Sequence, residues 1–89
     1  MKSYTTKQFR QAFVKLPKQV QKQGRAAYRQ FKKNPSHPSL RFKKVHHKLP
    51  IYSARITRNY RAVGQLDGEI MIWFWIGSHT DYEKLLSGL

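Results

Sequence analysis

Residues 51–78 read IYSARITRNYRAVGQLDGEIMIWFWIGS, and this stretch decides the fold. Three runs rich in β-branched and aromatic residues, IYSARIT, YRAVGQL and EIMIWFWIG, are separated by Arg58-Asn59 and Asp67-Gly68. Asp-Gly between strand-like runs marks a tight hairpin, because both residues tolerate positive φ. The spacing predicts an antiparallel meander. Successive strand residues point to opposite faces, so Tyr52, Ala54 and Ile56 share one side while Ser53, Arg55 and Thr57 share the other. Guanidiniums rarely enter a core unpaired, which sets Arg61, Val63 and Gln65 with Arg55 and leaves Tyr60, Ala62 and Leu66 facing the opposite way. The last run is apolar on both sides. Unbroken alternation through it puts Ile70, Ile72, Phe74 and Ile76 on the core side, and Met71, Trp73 and Trp75 beside the arginines. The two tryptophans there either meet a ligand or lie in a core covered by the C-terminal tail.

Upstream the period changes from two to 3.6. Phe9, Ala12, Phe13 and Leu16 follow helical spacing, with Thr5 or Thr6 placed to cap the first turn. Pro17 suits the start of a second helix, predicted to run to about Lys33, with Val20, Gly24, Ala27, Tyr28 and Phe31 as its inner stripe. Its other side carries Lys18, Lys22, Arg25, Arg29, Lys32 and Lys33. The segment NPSHPS, with Pro35 and Pro38, is an extended connector. A short first strand around Lys2 to Tyr4 fits the start of the chain, and HTDYEKLLSGL at the end allows a helical turn or two. The expected architecture is α+β: an N-terminal helical hairpin packed on one face of a twisted antiparallel β-sheet, followed by a short C-terminal helical turn.

Eighty-nine residues are enough for one domain and one modest core, here supplied with twelve aromatic rings. The absence of cysteine excludes a disulfide framework and thiolate zinc sites. No signal peptide is expected from MKSYTTKQFRQAF, and IMIWFWIG falls short of the ~20 residues that span a bilayer, so the expected location is the cytoplasm. Charge is the loudest global feature, with 18 Lys and Arg against 4 Asp and Glu. All four acids (Asp67, Glu69, Asp81 and Glu83) come after residue 66, and 17 of the 18 basic residues come before it. Such a field attracts polyanions, of which nucleic-acid phosphates are the commonest. An anionic membrane competes less well, because the basic residues are interleaved with a foldable core. No Gly-rich phosphate loop, nucleophile elbow or paired-carboxylate arrangement is present, and no cofactor is implied.

The run YSARITRNYRAVG, followed after a turn by WIGSHTDYEKLL, resembles the sheet and C-terminus of the RelE/ParE toxin superfamily, and NPSHPSLRFK after a basic hairpin is similar to members of that group. The resemblance covers nearly the whole chain as a single toxin domain, residues 1–89, with Ile51 to Leu86 its most specific part. It implies two N-terminal helices on a twisted antiparallel sheet. For the RelE-like branch it implies a ribosome-dependent messenger RNA endonuclease, held silent by an acidic cognate antitoxin. By the same resemblance Arg61 occupies the place of a phosphate-contacting arginine, Arg55 that of a basic residue on the preceding strand, and His79 that of a catalytic histidine or arginine. Tyr82 resembles the aromatic that follows, at a different spacing, and Ser53 departs from a position that is basic in some relatives.

Metal-free RNA cleavage needs the 2′-hydroxyl to lose a proton as it attacks phosphorus, a cation to hold the phosphoryl oxygens, and an acid for the departing 5′-oxygen. Arg61 and Arg55 can form forked bonds to phosphate, and an imidazole such as His79 exchanges protons near neutrality. Tyr82 is expected as a positioning group able to stack on a base. His79 as a helix cap or surface residue, and Arg61 as a plain sheet-surface charge, are the structural alternatives. His46 and His47 sit among Lys43, Lys44 and Lys48, where positive charge opposes a metal ion and favours an RNA contact. With Trp73 and Trp75 they form the expected RNA-binding set. Two rival functions stay open: a ParE-like DNA gyrase inhibitor, and a basic RNA-binding module without catalysis.

Overall fold

The computed structural model describes residues 1–89. Strand β1 (Lys2–Thr5) leads into helix α1 (Lys7–Phe13) and helix α2 (Lys18–Lys33). A 3-10 turn over Pro38–Leu40 precedes the short strand β2 (Lys43–Lys44). Strands β3 (Ile51–Thr57), β4 (Tyr60–Asp67) and β5 (Ile70–Ser78) and helix α3 (His79–Ser87) complete the chain.

Local chemistry explains most of these boundaries. Thr6 caps α1, its hydroxyl accepting from the Phe9 amide at 3.1 Å. Pro17 stands at the N-cap of α2. Between the helices the buried Gln21 side chain donates to the carbonyls of Val14 and Leu16 at 3.2 and 2.8 Å, so acceptors left over at the end of α1 find a partner inside the protein. Ser78 caps α3 by accepting from the Asp81 amide at 3.2 Å.

The five strands form one sheet in the order β1-β5-β4-β3-β2. Three neighbouring pairs are antiparallel, as the turn chemistry predicts, whereas β1 runs parallel to β5 and makes the sheet mixed. Helices α1 and α2 cover one face, α1 against β5 and α2 against β3. Between them and the sheet lies an apolar hollow of about 340 Å³, lined by Phe9, Phe13, Tyr28 and Phe31 among others. The larger core cluster occupies this side: Phe31, Leu40, Ala54, Ala62, Met71, Trp73 and Ile76. A smaller cluster of Ile51, Val63 and Tyr82 fills the opposite side, where α3 lies, joined by Phe74, Trp75, Leu85 and Leu86. Together the helices on the first face and α3 on the second bury both sides of β5, which is why that strand is apolar throughout. The expected helical turn at the C-terminus is thus a nine-residue helix with a core of its own.

One expectation about β5 fails, and a β-bulge explains it. Val63 pairs with Trp75 but the next residue, Gly64, pairs with Trp73, so Phe74 is an extra residue opposite nothing. After the bulge the expected alternation holds: Trp75 faces α3 and Ile76 faces the helical pair. Before it, parity is reversed. Met71 and Trp73 enter the helix-side core instead of lying beside the arginines, and Phe74 goes to the α3 side instead of the helix side. Gly64 permits the irregularity by close approach, since a Cβ there would sit 2.5 Å from Met71 Cε and 2.7 Å from the Ile72 carbonyl oxygen.

Candidate functional site

The α3 face of the sheet gathers the residues of interest in cross-strand rows. Partners directly opposite in antiparallel strands project to the same side. Arg55 of β3 pairs with Arg61 of β4, and Arg61 pairs with Gly77 of β5. The adjoining row is Lys43, Ser53, Val63 and Trp75. Gly77 leaves room for the Trp75 ring to lie across it, because a Cβ at that position would come within 2.8 Å of two ring carbons. An indole beside two guanidiniums therefore forms part of the floor of this face.

Arg61 is both tethered and electrostatically unsatisfied. Its Nη1 donates to the carbonyls of Thr57 and Tyr60 at 2.7 and 3.0 Å and lies 3.4 Å from that of Arg58, all in the turn joining β3 to β4. A guanidinium has five N–H donors, and those of Nε and Nη2 meet no protein acceptor. Partial burial lowers the proton affinity of Arg61 below the usual arginine value, and repulsion from Arg55 lowers it further. Tyr82 opposes the shift, and Arg41 adds to it. No carboxylate lies within ion-pair distance of any of these arginines, the one ion pair in the molecule being His79 Nδ1 to Glu83 Oε1 at 3.0 Å. The cluster is cationic, and no carboxylate of the protein neutralises it.

Helix α3 carries the remaining groups. His79, its first residue, is anchored through its backbone amide to the Asn59 carbonyl at 2.7 Å, in the same turn that holds Arg61. Its side chain is 43% exposed, and its Nδ1 meets Glu83 while Nε2 has no protein partner. The rings of His79 and Tyr82 are 5.7 Å apart, and those of Tyr82 and Trp75 6.5 Å. Tyr82 is buried at 6% exposure, with its hydroxyl 3.1 Å from the equally buried Ser53. It cannot stack on a base. Burial against Ile51 and Val63 makes it the pin that docks α3 beside the arginines.

The family is decided by residues 18–84, which match the family model for the ParE-like toxin domain. The chain belongs to the ParE-like toxin domain family. Comparison with curated protein sequences gives no match. Among solved structures, this ParE-like domain is similar to the toxin in the RelB-RelE antitoxin-toxin complex from Methanococcus jannaschii, at 17% identity over 91% of this chain and 95% of that one, with a TM-score of 0.73. The YoeB/ParE toxin from Agrobacterium tumefaciens is 16% identical over 89% of this chain and 99% of its own, with a TM-score of 0.70. The isolated Escherichia coli RelE toxin is 17% identical over 99% and 98%, with a TM-score of 0.67. At such identities the likeness is one of fold.

Not every residue singled out from the sequence joins this face. Arg55, Arg61, His79, Trp75 and Lys43 do. Trp73 does not: it is 3% exposed in the helix-side core, with its indole N–H bonded to Ser3 Oγ at 3.0 Å, and it is withdrawn as an RNA contact. Lys44 pairs with Tyr52, whose ring stacks on Phe42 on the helix side, so it belongs to the opposite face. His46 and His47 stack at 4.9 Å in the loop with Lys48. His46 Nδ1 accepts from the amides of Lys48 and Leu49 at 3.1 and 2.9 Å, which gives that ring a turn-forming role. No group of three His, Asp or Glu side chains is placed to hold a metal ion, and no helix is long and apolar enough to cross a membrane.

Sequence reasoning missed Arg41. It is an exposed non-glycine residue with φ 44°, a backbone that costs on the order of 1 kcal/mol or more, and its charge is one of those felt by Arg61. Nothing in the local sequence signals this placement. It follows from where the 3-10 turn releases the chain.

Proposed function

We propose that this protein is the toxin of a type II toxin-antitoxin system, acting in the cytoplasm as a ribosome-dependent messenger RNA endonuclease. The observation that carries the reading is Arg61 held by three turn carbonyls, repelled by neighbouring arginines and lacking any carboxylate, with His79 anchored to the same turn. In this reading Arg61 and Arg55 hold the non-bridging oxygens of the scissile phosphate as negative charge grows in the transition state. The 2′-oxygen forms the new bond to phosphorus as the bond to the 5′-oxygen breaks; His79 Nε2 either takes the 2′ proton or supplies the 5′ proton, and solvent water makes the other transfer. Trp75 supports a neighbouring base, Lys43 and Lys48 contact the backbone, and Tyr82 positions α3. An acidic antitoxin segment would neutralise the same cations. Relatives solved as RelB-RelE complexes support such a partner.

The test is ribosome-dependent cleavage of messenger RNA by the purified protein and by Arg61→Ala and His79→Ala. Cleavage by the wild type with loss in both variants supports the reading, whereas undiminished cleavage in both refutes the assignment. A second reading, inhibition of DNA gyrase, is favoured by the ParE-like description of the matching family model. Inhibition of supercoiling without RNA cleavage would select it, and salt-sensitive RNA binding with neither activity would leave a binding module.

A further inference from the structure

The arginine cluster has a third member. The β2–β3 register pairs Lys43 with Ser53 and Lys44 with Tyr52, and Phe42, just before them, stacks on Tyr52 at 4.9 Å, so the chain leaving the Pro38–Leu40 turn at Arg41 runs along the outer edge of β3. Arg55 pairs with Arg61, and Arg61 with Gly77. Strands lie about 4.8 Å apart, so Arg41 stands on the β3 side of the Arg55–Arg61 pair, away from the glycine under the Trp75 ring. Two features independent of register mark Arg41. Its backbone is left-handed, with φ 44° and ψ 42°, directly after the Pro38–Leu40 turn, a conformation that favours glycine. The arginine thus occupies a backbone position better suited to glycine. The second feature is its proximity to the site, since its charge reaches Arg61.

We infer that Arg41 is a phosphate-binding residue that, together with Arg55 and Arg61, extends the site from one phosphodiester to the next along a single strand. The inference rests on the RNA reading above and deepens it by naming a contiguous backbone track as the ligand. A single scissile phosphate is served by Arg61 and Arg55. A further guanidinium a strand spacing away lies beyond that phosphate and meets its neighbour. Arg41 binds no protein acceptor through its side chain, so its donors are unspent.

The decisive variant is Arg41→Gly, which removes the guanidinium while relaxing the backbone. Binding of a fluorescently labelled 2′-O-methyl hexanucleotide, which lacks the attacking hydroxyl, is measured by anisotropy across a salt series. The expected result is binding weakened roughly tenfold at low salt and a log K against log salt slope shallower by about 0.7, the increment for one phosphate on a single strand. The melting temperature should be unchanged or higher, which separates this loss from misfolding. Arg41→Lys should retain most of the slope, and Lys7→Ala, at an exposed site at the start of α1, should leave binding near that of the wild type. Wild-type binding with an unaltered slope in Arg41→Gly overturns the inference alone. An equal loss in Lys7→Ala also overturns it, by showing that only net charge matters. Failure of the wild type to bind the oligonucleotide overturns this inference, while the RNA reading stands or falls separately on ribosome-dependent cleavage.

Discussion

Trp73 and Trp75 are two residues apart on one strand and do opposite work. Trp73 lies in the helix-side core, edge-on to Phe31 at 5.2 Å and hydrogen-bonded to Ser3. Trp75 is half-buried on the α3 side, across Gly77 and next to the arginine row. In a regular strand both rings would share a face. The single extra residue at Phe74 separates them, giving one ring to the fold and leaving the other for the site. The two faces differ in the same sense throughout. The helix face holds the larger apolar core, whereas the α3 face keeps guanidiniums that no acid in the chain neutralises.

The largest expected effect tests the structural half of this comparison. Trp73→Ala removes a buried indole and should cost about 3–5 kcal/mol of stability in denaturant melts. Trp75→Ala should cost clearly less stability; equal losses would erase the distinction between the two rings. Next comes Arg61→Ala, for which the proposed role as transition-state clamp predicts a fall of roughly 10²- to 10³-fold in cleavage rate. Arg61→Lys keeps a charge without the fork and should fall between, measured as single-turnover cleavage on programmed ribosomes. A lysine variant as fast as wild type would mean that bulk charge, not forked bonding, serves the reaction.

The bulge can be attacked directly. Gly64→Ala places a methyl against Met71 Cε and the backbone oxygen of Ile72. Backbone cannot yield as a flexible side chain does, so the expected loss is about 1–3 kcal/mol, with the tryptophan fluorescence of the folded state shifted if Trp73 is displaced. A neutral substitution would show that the bulge tolerates a Cβ and that Gly64 is not its cause.

What was legible in the sequence follows from the range of the forces involved. The Thr6 cap, the proline between the helices, the Asp67-Gly68 hairpin and the alternation of β4, and of β3 up to the register shift after Arg55 that pairs Thr57 with Tyr60, are set by neighbours a few residues away. These were readable. The parallel pairing of β1 with β5 and the placement of Arg41 depend on contacts distant in sequence, which no local pattern encodes. The reversed parity of Met71 and Trp73 stands between these cases. Gly64, alone inside an otherwise well-formed strand, carried the signal of a bulge on the neighbouring strand, and an alternation stopped at that glycine would have freed Trp73 from the arginine side. Tyr82 enters the expected site only through the family resemblance, as the aromatic that follows His79. Helical spacing does bring the two rings together, but α3 turns the phenol inwards while His79 stays half-exposed.

The smallest effect separates those two roles. Tyr82→Phe keeps the ring among Ile51 and Val63 and removes only the hydroxyl that meets Ser53, both buried. The lost bond and the Ser53 hydroxyl left without it should together cost about 1 kcal/mol, seen as a small drop in the denaturation midpoint. If Tyr82 acts only by docking α3, the folded variant should cleave RNA at close to the wild-type rate, because His79 keeps its backbone tie to Asn59 and its contact with Glu83. A large fall in rate at unchanged stability would show instead that the phenol takes part in the chemistry, and that α3 must move for it to do so.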